Sequence, residues 1–138
     1  TLIQHELGEM SISNWLGADW SEMMLKIIGT KAELLARSVR DHLADCLKTL
    51  PFLIKQNNPS SIHFYFANLT HMRKELFPAA IQAYQEWDKS GTLDPLLDIT
   101  EKAAPHWEST LNSILQTDRN NDKELAAQLT ELIEQAAF

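Results

Sequence analysis

Histidines and carboxylates at helical spacing are the groups in this chain best suited to do chemistry. His71 and Glu75 are four residues apart, and His5 and Glu9 repeat that spacing. Such pairs lie on one face of an α-helix, where an imidazole and a carboxylate can together bind a metal ion. The E-x-x-H motif that di-iron bundles carry twice does not occur, nor does any H-x-x-x-H pair. We therefore expect no metal and no cofactor, and keep His71 and Glu75 as the metal-binding candidates.

The one cysteine, Cys46, is the candidate for nucleophilic catalysis. It falls on an apolar stripe, and no flanking basic residue is placed to favour the reactive thiolate. The chain contains no G-x-S-x-G motif, phosphate-binding glycine loop or dinucleotide fingerprint. We therefore predict a buried thiol and a protein that is not an enzyme, with no catalytic residues.

Helices must position these groups. The chain has 138 residues, of which only 4 are glycine and 5 proline, too few for a turn-rich β-sandwich. From Asn58, an N-cap residue followed by Pro59, apolar residues recur every three or four positions as far as Trp87. Pro78 lies inside this stripe and removes one backbone hydrogen bond. The pattern predicts one long helix from Pro59 to Trp87, kinked near Pro78.

Two further stripes flank this helix in the sequence. The earlier one begins at Asp19 and runs past residue 50, which is long for a domain of this size. We expect it to bend or break at Gly29-Thr30, at Pro51, or at both. The later one begins at Asp94-Pro95 and contains Pro105, which predicts a kink or a restart of the helix.

The last stripe follows a polar loop, and its start is marked by the capping pair Asn121 and Glu124. The sequence as a whole predicts an all-α, single-domain bundle of about four main helices, kinked at prolines. Residues 1–18 are expected to form an N-terminal arm or short helix, and residues 19–138 the bundle.

Charge and composition exclude several classes of function. The formal charge of −7 and the isoelectric point near 5.1 argue against nucleic acid as the main partner, because such binding needs clustered Lys and Arg. No apolar run approaches the roughly 18 to 20 residues that cross a bilayer, and no signal-peptide pattern is present. A single cysteine fits a reducing compartment. We expect a cytoplasmic protein without a transmembrane segment.

The apolar arc of the predicted central helix is wider than one bundle seam requires. Phe64, Phe77 and Ile81 add to its main stripe, which ends at Trp87. An apolar surface beyond the needs of the core is typical of a contact with another protein or an apolar body. We predict a non-catalytic binding or scaffold protein that forms homo-oligomers, with Phe64, Phe77, Ile81 and Trp87 as the partner-binding residues.

The order of features in the first half of the chain resembles that of phasins. A helix carrying Glu33-Leu34-Leu35-Ala36-Arg37 ends in Leu53-Ile54-Lys55-Gln56, the Asn57-Asn58-Pro59-Ser60-Ser61 break follows, and a second helix begins. The resemblance covers about residues 33–87. It implies a non-enzymatic, amphipathic protein that oligomerises and coats polyhydroxyalkanoate storage granules.

Two other classes of function stay open. An acidic inhibitor, immunity or adaptor protein would meet a basic partner through exposed carboxylates such as Glu124, Glu131 and Glu134. A metal- or cofactor-binding helical bundle would instead use side chains that face one another between helices, namely His71, Glu75, His42 and His106.

Overall fold

The computed structural model describes residues 2–120 and 124–138, and every regular element in these ranges is helical. In the part of α1 before Leu16, the side-chain environment is described for Ile3, Leu7, Gly8 and Ile12. The elements are α1 (Leu2–Lys26), α2 (Lys31–Ala44), a π-helical segment (Asp45–Thr49), α3 (Leu50–Gln56), α4 (Pro59–Ala67), α5 (His71–Leu76), α6 (Pro78–Ser90), α7 (Asp94–Asn120) and α8 (Leu125–Gln135). The predicted all-α class is confirmed, although the helices are shorter and more numerous than four.

Residues 2–18 of the region predicted to form an N-terminal arm or a short helix belong to α1. α1 is helical on both sides of Gly17, whose φ of 64° and ψ of −152° are non-helical and kink the element there. Glycine adopts a positive φ without the steric cost that a Cβ would bring. The half after Gly17 faces the core with Trp20 and Met23, and Ile27 in the turn that follows α1 is also buried. The new helix predicted at Asp19 is therefore the second half of α1.

The helical stripe predicted to begin at Asp19 breaks at Gly29 and Thr30 and then continues past Pro51. Gly29 has a φ of 78°, and α2 begins directly after Thr30. The helical rod of residues 31–56 contains the π-helical segment just before Pro51. A proline crowds the carbonyl four residues earlier, here that of Leu47, and the wider π turn accommodates it without ending the helix.

The central helix predicted from Pro59 to Trp87 is wrong as one element, because the chain forms α4, α5 and α6 there. The predicted start is confirmed: Asn58 Oδ1 accepts from the backbone N–H groups of Ser60 and Ser61, at 3.0 and 3.4 Å. α4 ends at Ala67, and the side chain of the next residue, Asn68, donates to the Phe64 carbonyl at 2.8 Å and competes with the helical pattern.

The kink predicted at Pro78 is a complete break. Phe77, the residue before the proline, has a φ of −130° and a ψ of 59°, and Pro78 is the first residue of α6. A proline disfavours helical geometry in the residue before it, and its own fixed φ suits the first turn of a new helix. Gly91, with a φ of 74°, ends α6 as expected of a C-terminal glycine.

The remaining two helices differ from prediction at their prolines and caps. α7 runs through Pro105, which is exposed. Of the kink or restart predicted at this proline, the restart does not occur. Glu124 was expected inside the first turn of the last helix. It is instead the N-cap of α8, in a left-handed conformation with a φ of 58°. Asn121, the other member of the predicted capping pair, lies outside the described residues.

α2 is the central helix of the bundle. It packs against α1, α5, α7 and α8, while α6 lies along α7. Apolar side chains on α2 are excluded from solvent along its length, with Ala36 and Val39 both 0% exposed. Burial of this face, at roughly 25 cal/mol per Å² of apolar surface, is the main contribution that holds the helices together.

Candidate functional site

The four residues predicted to bind a partner do not share one exposed surface. Phe64 is 65% exposed, whereas Phe77 and Trp87 are 1% and 6% exposed, and Ile81 is half-buried. The break before Pro78 turns the Phe77 ring into the core, where its centroid lies 5.6 Å from that of Trp107. The helical periodicity that placed the four together does not extend across this break.

His71 and Glu75, the metal candidates, are both exposed on α5. Glu75 lines a shallow cleft with Lys31 and Glu134, and Lys31 Nζ lies 2.9 Å from Glu134 Oε1. The hydrogen bond and the charge interaction that Lys31 makes with Glu134 raise the pKa of Lys31, and the charge of Glu75 adds to this effect. Within residues 2–120 and 124–138, no three His, Cys, Asp or Glu side chains are arranged to hold a metal ion. The side chains of His5 and Glu9 lie outside the described residues.

His42 is a buried residue of α2 that bonds to α5. Its Nε2 lies 2.7 Å from the Arg73 carbonyl oxygen, and its ring stacks on Trp107 with centroids 5.2 Å apart. Burial, followed by the charge of Arg73, lowers the pKa of His42 to about 3. The imidazole is therefore neutral at neutral pH, and Nε2 carries the proton that it donates to the carbonyl.

His106 binds the segment that follows α8. Its Nε2 lies 2.6 Å from the Ala136 carbonyl oxygen, and its ring centroid is 4.6 Å from that of Phe138. Phe138 in turn joins the two sides of the α5–α6 break: its N–H donates to the Leu76 carbonyl at 2.9 Å, and its carbonyl accepts from the Ala79 N–H at 3.0 Å. The structure therefore places His42 and His106 in two separate packing roles.

A buried ion pair lies beside His42. Asp45, only 1% exposed, accepts at Oδ2 from the Tyr65 hydroxyl at 2.7 Å and from the Arg73 guanidinium. Burial disfavours the charge of Arg73, but the Asp45 carboxylate outweighs this and raises the pKa of Arg73. Burial, and then the charge of Asp45, raises the pKa of Tyr65. The pair is thus ionised and the phenol neutral.

The π-helical segment positions this network. Asp45 is its first residue, and Asp45, Cys46 and Thr49 all point inward from it. The predicted burial of Cys46 is confirmed, and burial raises the pKa of its thiol. Perturbed ionisable groups at a π-helical turn are common at functional sites. Here the groups are buried or half-buried and bond to one another, so they hold α4 and α5 against the helical rod of residues 31–56.

Sequence reasoning missed the partners of Asp45. Tyr65 is 20 positions away and Arg73 is 28, so no local spacing connects them. The available signal was a carboxylate on an otherwise apolar stripe, between Leu43 and Leu50. A carboxylate at such a position requires a buried cationic partner, although the stripe does not identify it.

Three exposed aliphatic side chains lie close together in the sequence, around the turn that connects α1 and α2. Leu25, Ile28 and Leu34 are 70%, 67% and 56% exposed and fall within ten residues of sequence. Leu25 is in the last turn of α1, Ile28 in the connecting turn, and Leu34 in the first turn of α2. We call these three side chains the apolar corner. The stripe predicted to begin at Asp19 spans these positions, but its periodicity does not show which side chains stay exposed.

Residues next to the apolar corner in the sequence form ion pairs. Lys26 Nζ lies 3.0 Å from Asp118 Oδ1 of α7, and Arg37 Nη2 lies 2.9 Å from Glu33 Oε1. An exposed apolar centre with a charged rim is the usual composition of a protein–protein interface.

The carboxylates proposed for an acidic binding face are exposed but are not equivalent. Glu124 is the N-cap of α8, and Glu131 accepts from the Gln135 side chain at 3.4 Å. Glu134 pairs with Lys31 and is therefore partly neutralised. Of the three carboxylates that an acidic inhibitor or adaptor would use, Glu134 is thus already engaged in an exposed ion pair within the chain.

The fold defines an all-α domain with a buried polar network and an exposed aliphatic corner. Over residues 1–136 the chain matches the C-terminal domain of a family of unknown function, DUF6866, and it belongs to that family. No curated protein and no solved structure matches the chain. Among the described helices, none is both long enough and apolar enough to span a membrane.

Proposed function

We propose that this domain is a non-catalytic helical binding protein that contacts a protein partner through the apolar corner, and that it self-associates through the same surface. The observation that carries the proposal is the exposure of Leu25, Ile28 and Leu34, between 56% and 70%. Burying three such side chains in an interface contributes on the order of 3 to 6 kcal/mol. That suffices for the centre of an interface, with the charged rim adding specificity.

The interior supports a binding role over a catalytic one. Three groups have the chemistry for acid–base work, and each is bonded to another of them or to backbone: His42 and Asp45, which are buried, and Tyr65, which is half-buried. A catalytic group must come within hydrogen-bond reach of its substrate. Their geometry suits a rigid scaffold that presents an outer surface.

The test compares two substitutions that add the same charge at equally exposed positions. Ile28 is 67% exposed in the apolar corner, and Phe64 is 65% exposed on α4. Because a charge at the centre of an interface is costly to desolvate, we expect Ile28→Glu to abolish concentration-dependent association in sedimentation velocity. Phe64→Glu should leave that association unchanged, and circular dichroism should show full helicity for both.

Two results would contradict this proposal. The first is a wild-type protein that stays monomeric at high concentration and binds no hydrophobic-surface dye. The second is association that is lost with Phe64→Glu and kept with Ile28→Glu, which would transfer the partner surface to α4.

A further inference from the structure

The break between α5 and α6 places two backbone groups at helix ends. Leu76 is the last residue of α5, and Ala79 is the second residue of α6. A carbonyl in the last turn of a helix, or an N–H in the first turn, has no hydrogen-bond partner within its own helix. One residue satisfies both groups here: the Phe138 N–H donates to the Leu76 carbonyl at 2.9 Å, and the Phe138 carbonyl accepts from the Ala79 N–H at 3.0 Å.

Phe138 belongs to residues 136–138, which follow α8 and which we call the latch. Besides the two bonds of Phe138, the latch is held by His106, whose Nε2 lies 2.6 Å from the Ala136 carbonyl oxygen. The Phe138 ring packs against the rings of His106 and Phe77, with centroids 4.6 and 6.0 Å away. Hydrogen bonds and one aromatic side chain thus attach the latch to the break.

A cleft opens on each side of the latch. One, of about 210 Å³, is lined by Ala137 together with residues of α2, α5 and α8. The other, of about 260 Å³, is lined by Ala136 together with residues of α7 and α8. Ala137 is exposed and Phe138 is half-buried, whereas Val39 in the core face of α2 is 0% exposed. Water therefore reaches the latch from two sides.

The latch spans a bend between helices that pack in different places. α5 packs against α2, and α6 lies along α7. Phe77 between them has a φ of −130° and a ψ of 59°, so the helical hydrogen bonds are interrupted there. The two bonds of Phe138 are therefore a direct connection across a backbone that is already bent.

We propose that the latch is a conformational device: it opens as a unit while the helical core stays folded, and it controls access to the α5–α6 break. Opening releases the Leu76 carbonyl and the Ala79 N–H and uncovers the Phe77 ring. Segments with solvent-accessible backbone bonds and little buried apolar surface open at a lower free energy than core helices do. The latch shares no residue with the apolar corner, so the proposal does not depend on binding through that corner.

The experiment is native-state hydrogen exchange of the ¹⁵N-labelled full chain, followed by NMR at increasing urea below the unfolding transition. The Ala79 and Phe138 amides report on the latch, and the Val39 amide reports on global unfolding. After correction for intrinsic rates, we expect Ala79 and Phe138 to exchange with equal free energies of opening and at least tenfold faster than Val39. Low urea should leave their exchange unchanged and accelerate that of Val39, because only global unfolding exposes a large new surface.

Two variants test the contacts that hold the latch. Phe138→Ala removes the ring that packs on Phe77 and His106, and should accelerate exchange at Ala79 by about tenfold. His106→Phe keeps a ring at position 106 but removes the donor to the Ala136 carbonyl, and should accelerate that exchange by about threefold.

Phe52→Ala is the matched control, because Phe52 is also a half-buried phenylalanine but lies on α3. Its packing against the core is kept when the latch opens and is lost when the domain unfolds. We therefore expect Phe52→Ala to accelerate exchange at Val39 and to leave exchange at Ala79 unchanged.

The proposal is overturned if Ala79 and Phe138 exchange as slowly as Val39 with the same dependence on urea, since the latch then opens only on global unfolding. Different free energies of opening for Ala79 and Phe138 would show that the latch is not one unit. The proposal also fails if Phe52→Ala accelerates Ala79 as much as Val39, or if neither Phe138→Ala nor His106→Phe changes exchange at Ala79. Should Phe138→Ala not fold, the wild type, His106→Phe and Phe52→Ala decide the outcome.

Discussion

At the scale of single residues, the buried carboxylate of Asp45 is the centre of the polar network in the described interior. Asp45 is excluded from solvent and joins Tyr65 and Arg73 to the start of the π-helical segment. A buried ion pair often adds little net stability over an apolar replacement, but removing only one partner leaves the other charge uncompensated. The network therefore selects one arrangement of α4 and α5, and it makes each member sensitive to substitution.

Asp45→Ala should lower the free energy of unfolding by about 3 kcal/mol, because Arg73 and the Tyr65 hydroxyl lose their acceptor. This loss is at the lower end of the roughly 3 to 5 kcal/mol expected for breaking a buried ion pair. The reason is that 22% of the Arg73 side chain remains exposed to solvent. Urea denaturation measures the loss. The triple variant Asp45→Leu, Tyr65→Phe, Arg73→Met should recover most of it. A loss below about 1 kcal/mol in the single variant would show that the pair does not hold the fold.

The buried imidazole of His42 predicts sensitivity to acid. Its pKa is about 3 in the folded chain against 6.5 for the ordinary side chain, so between these values the unfolded chain binds the extra proton. The contribution to stability is complete above pH 6.5 and declines as the pH falls toward 3. At pH 5 the loss should be about 2 kcal/mol, from 1.36 kcal/mol per unit.

Urea denaturation at several pH values, compared between wild type and His42→Gln, isolates this effect. The variant has a lower stability throughout but should lose less on acidification, since it lacks the titrating group. Equal pH slopes for the two proteins between pH 7 and pH 5 would contradict the assignment to His42.

At the scale of elements, prolines and glycines mark most boundaries. Pro59 and Pro78 are the first residues of α4 and α6, and Pro95 is the second residue of α7. In these positions the missing N–H costs nothing. Pro105 has no such role and is tolerated within α7, where it is exposed to water. A proline therefore marks a helix boundary only when the residue before it adopts a non-helical conformation, as Phe77 does before Pro78.

Gly8 allows α1 to pack closely on the rod of α2. A Cβ at this position would lie 2.8 Å from the Ala44 carbonyl oxygen and 3.2 Å from the Ala44 Cβ. Alanine favours a helix over glycine by about 1 kcal/mol, but here the contact with rigid backbone should reverse the sign. We expect Gly8→Ala to lower the free energy of unfolding by about 1 to 2 kcal/mol.

Urea denaturation and proteolysis of α1 measure this change. Adding Ala44→Gly should not rescue the variant, because the nearest clash is with the carbonyl and not with the methyl group. A Gly8→Ala protein more stable than wild type would show that α1 has room to adjust at this crossing.

At the scale of the whole molecule, α1, α2 and the turn between them form the apolar corner, with Leu25 in the last turn of α1 and Leu34 in the first turn of α2. The proposed role of the corner is tested by Ile28→Glu. Self-association and the phasin-like granule coat both remain predictions. In the second case the apolar corner would meet a polymer surface.

The sequence by itself determined the features that depend on neighbouring residues. Apolar periodicity predicted an all-helical domain, the Asn58 side chain predicted the start of α4, and Gly29 predicted the break before α2. Caps, turns and periodicity act over three or four residues, so they can be interpreted without knowledge of the fold. The burial of Cys46 followed from its place on an apolar stripe for the same reason.

Only the tertiary structure decided which helical faces are covered and which groups meet. The pairing of Asp45 with Arg73, the inward turn of Phe77 and the exposure of Ile28 each depend on helices distant in the sequence. A helical stripe shows that a face is apolar, but its burial depends on the packing of another element against it. That is why the predicted surface at Phe64, Phe77, Ile81 and Trp87 was dispersed, and the apolar corner was found only in the folded chain.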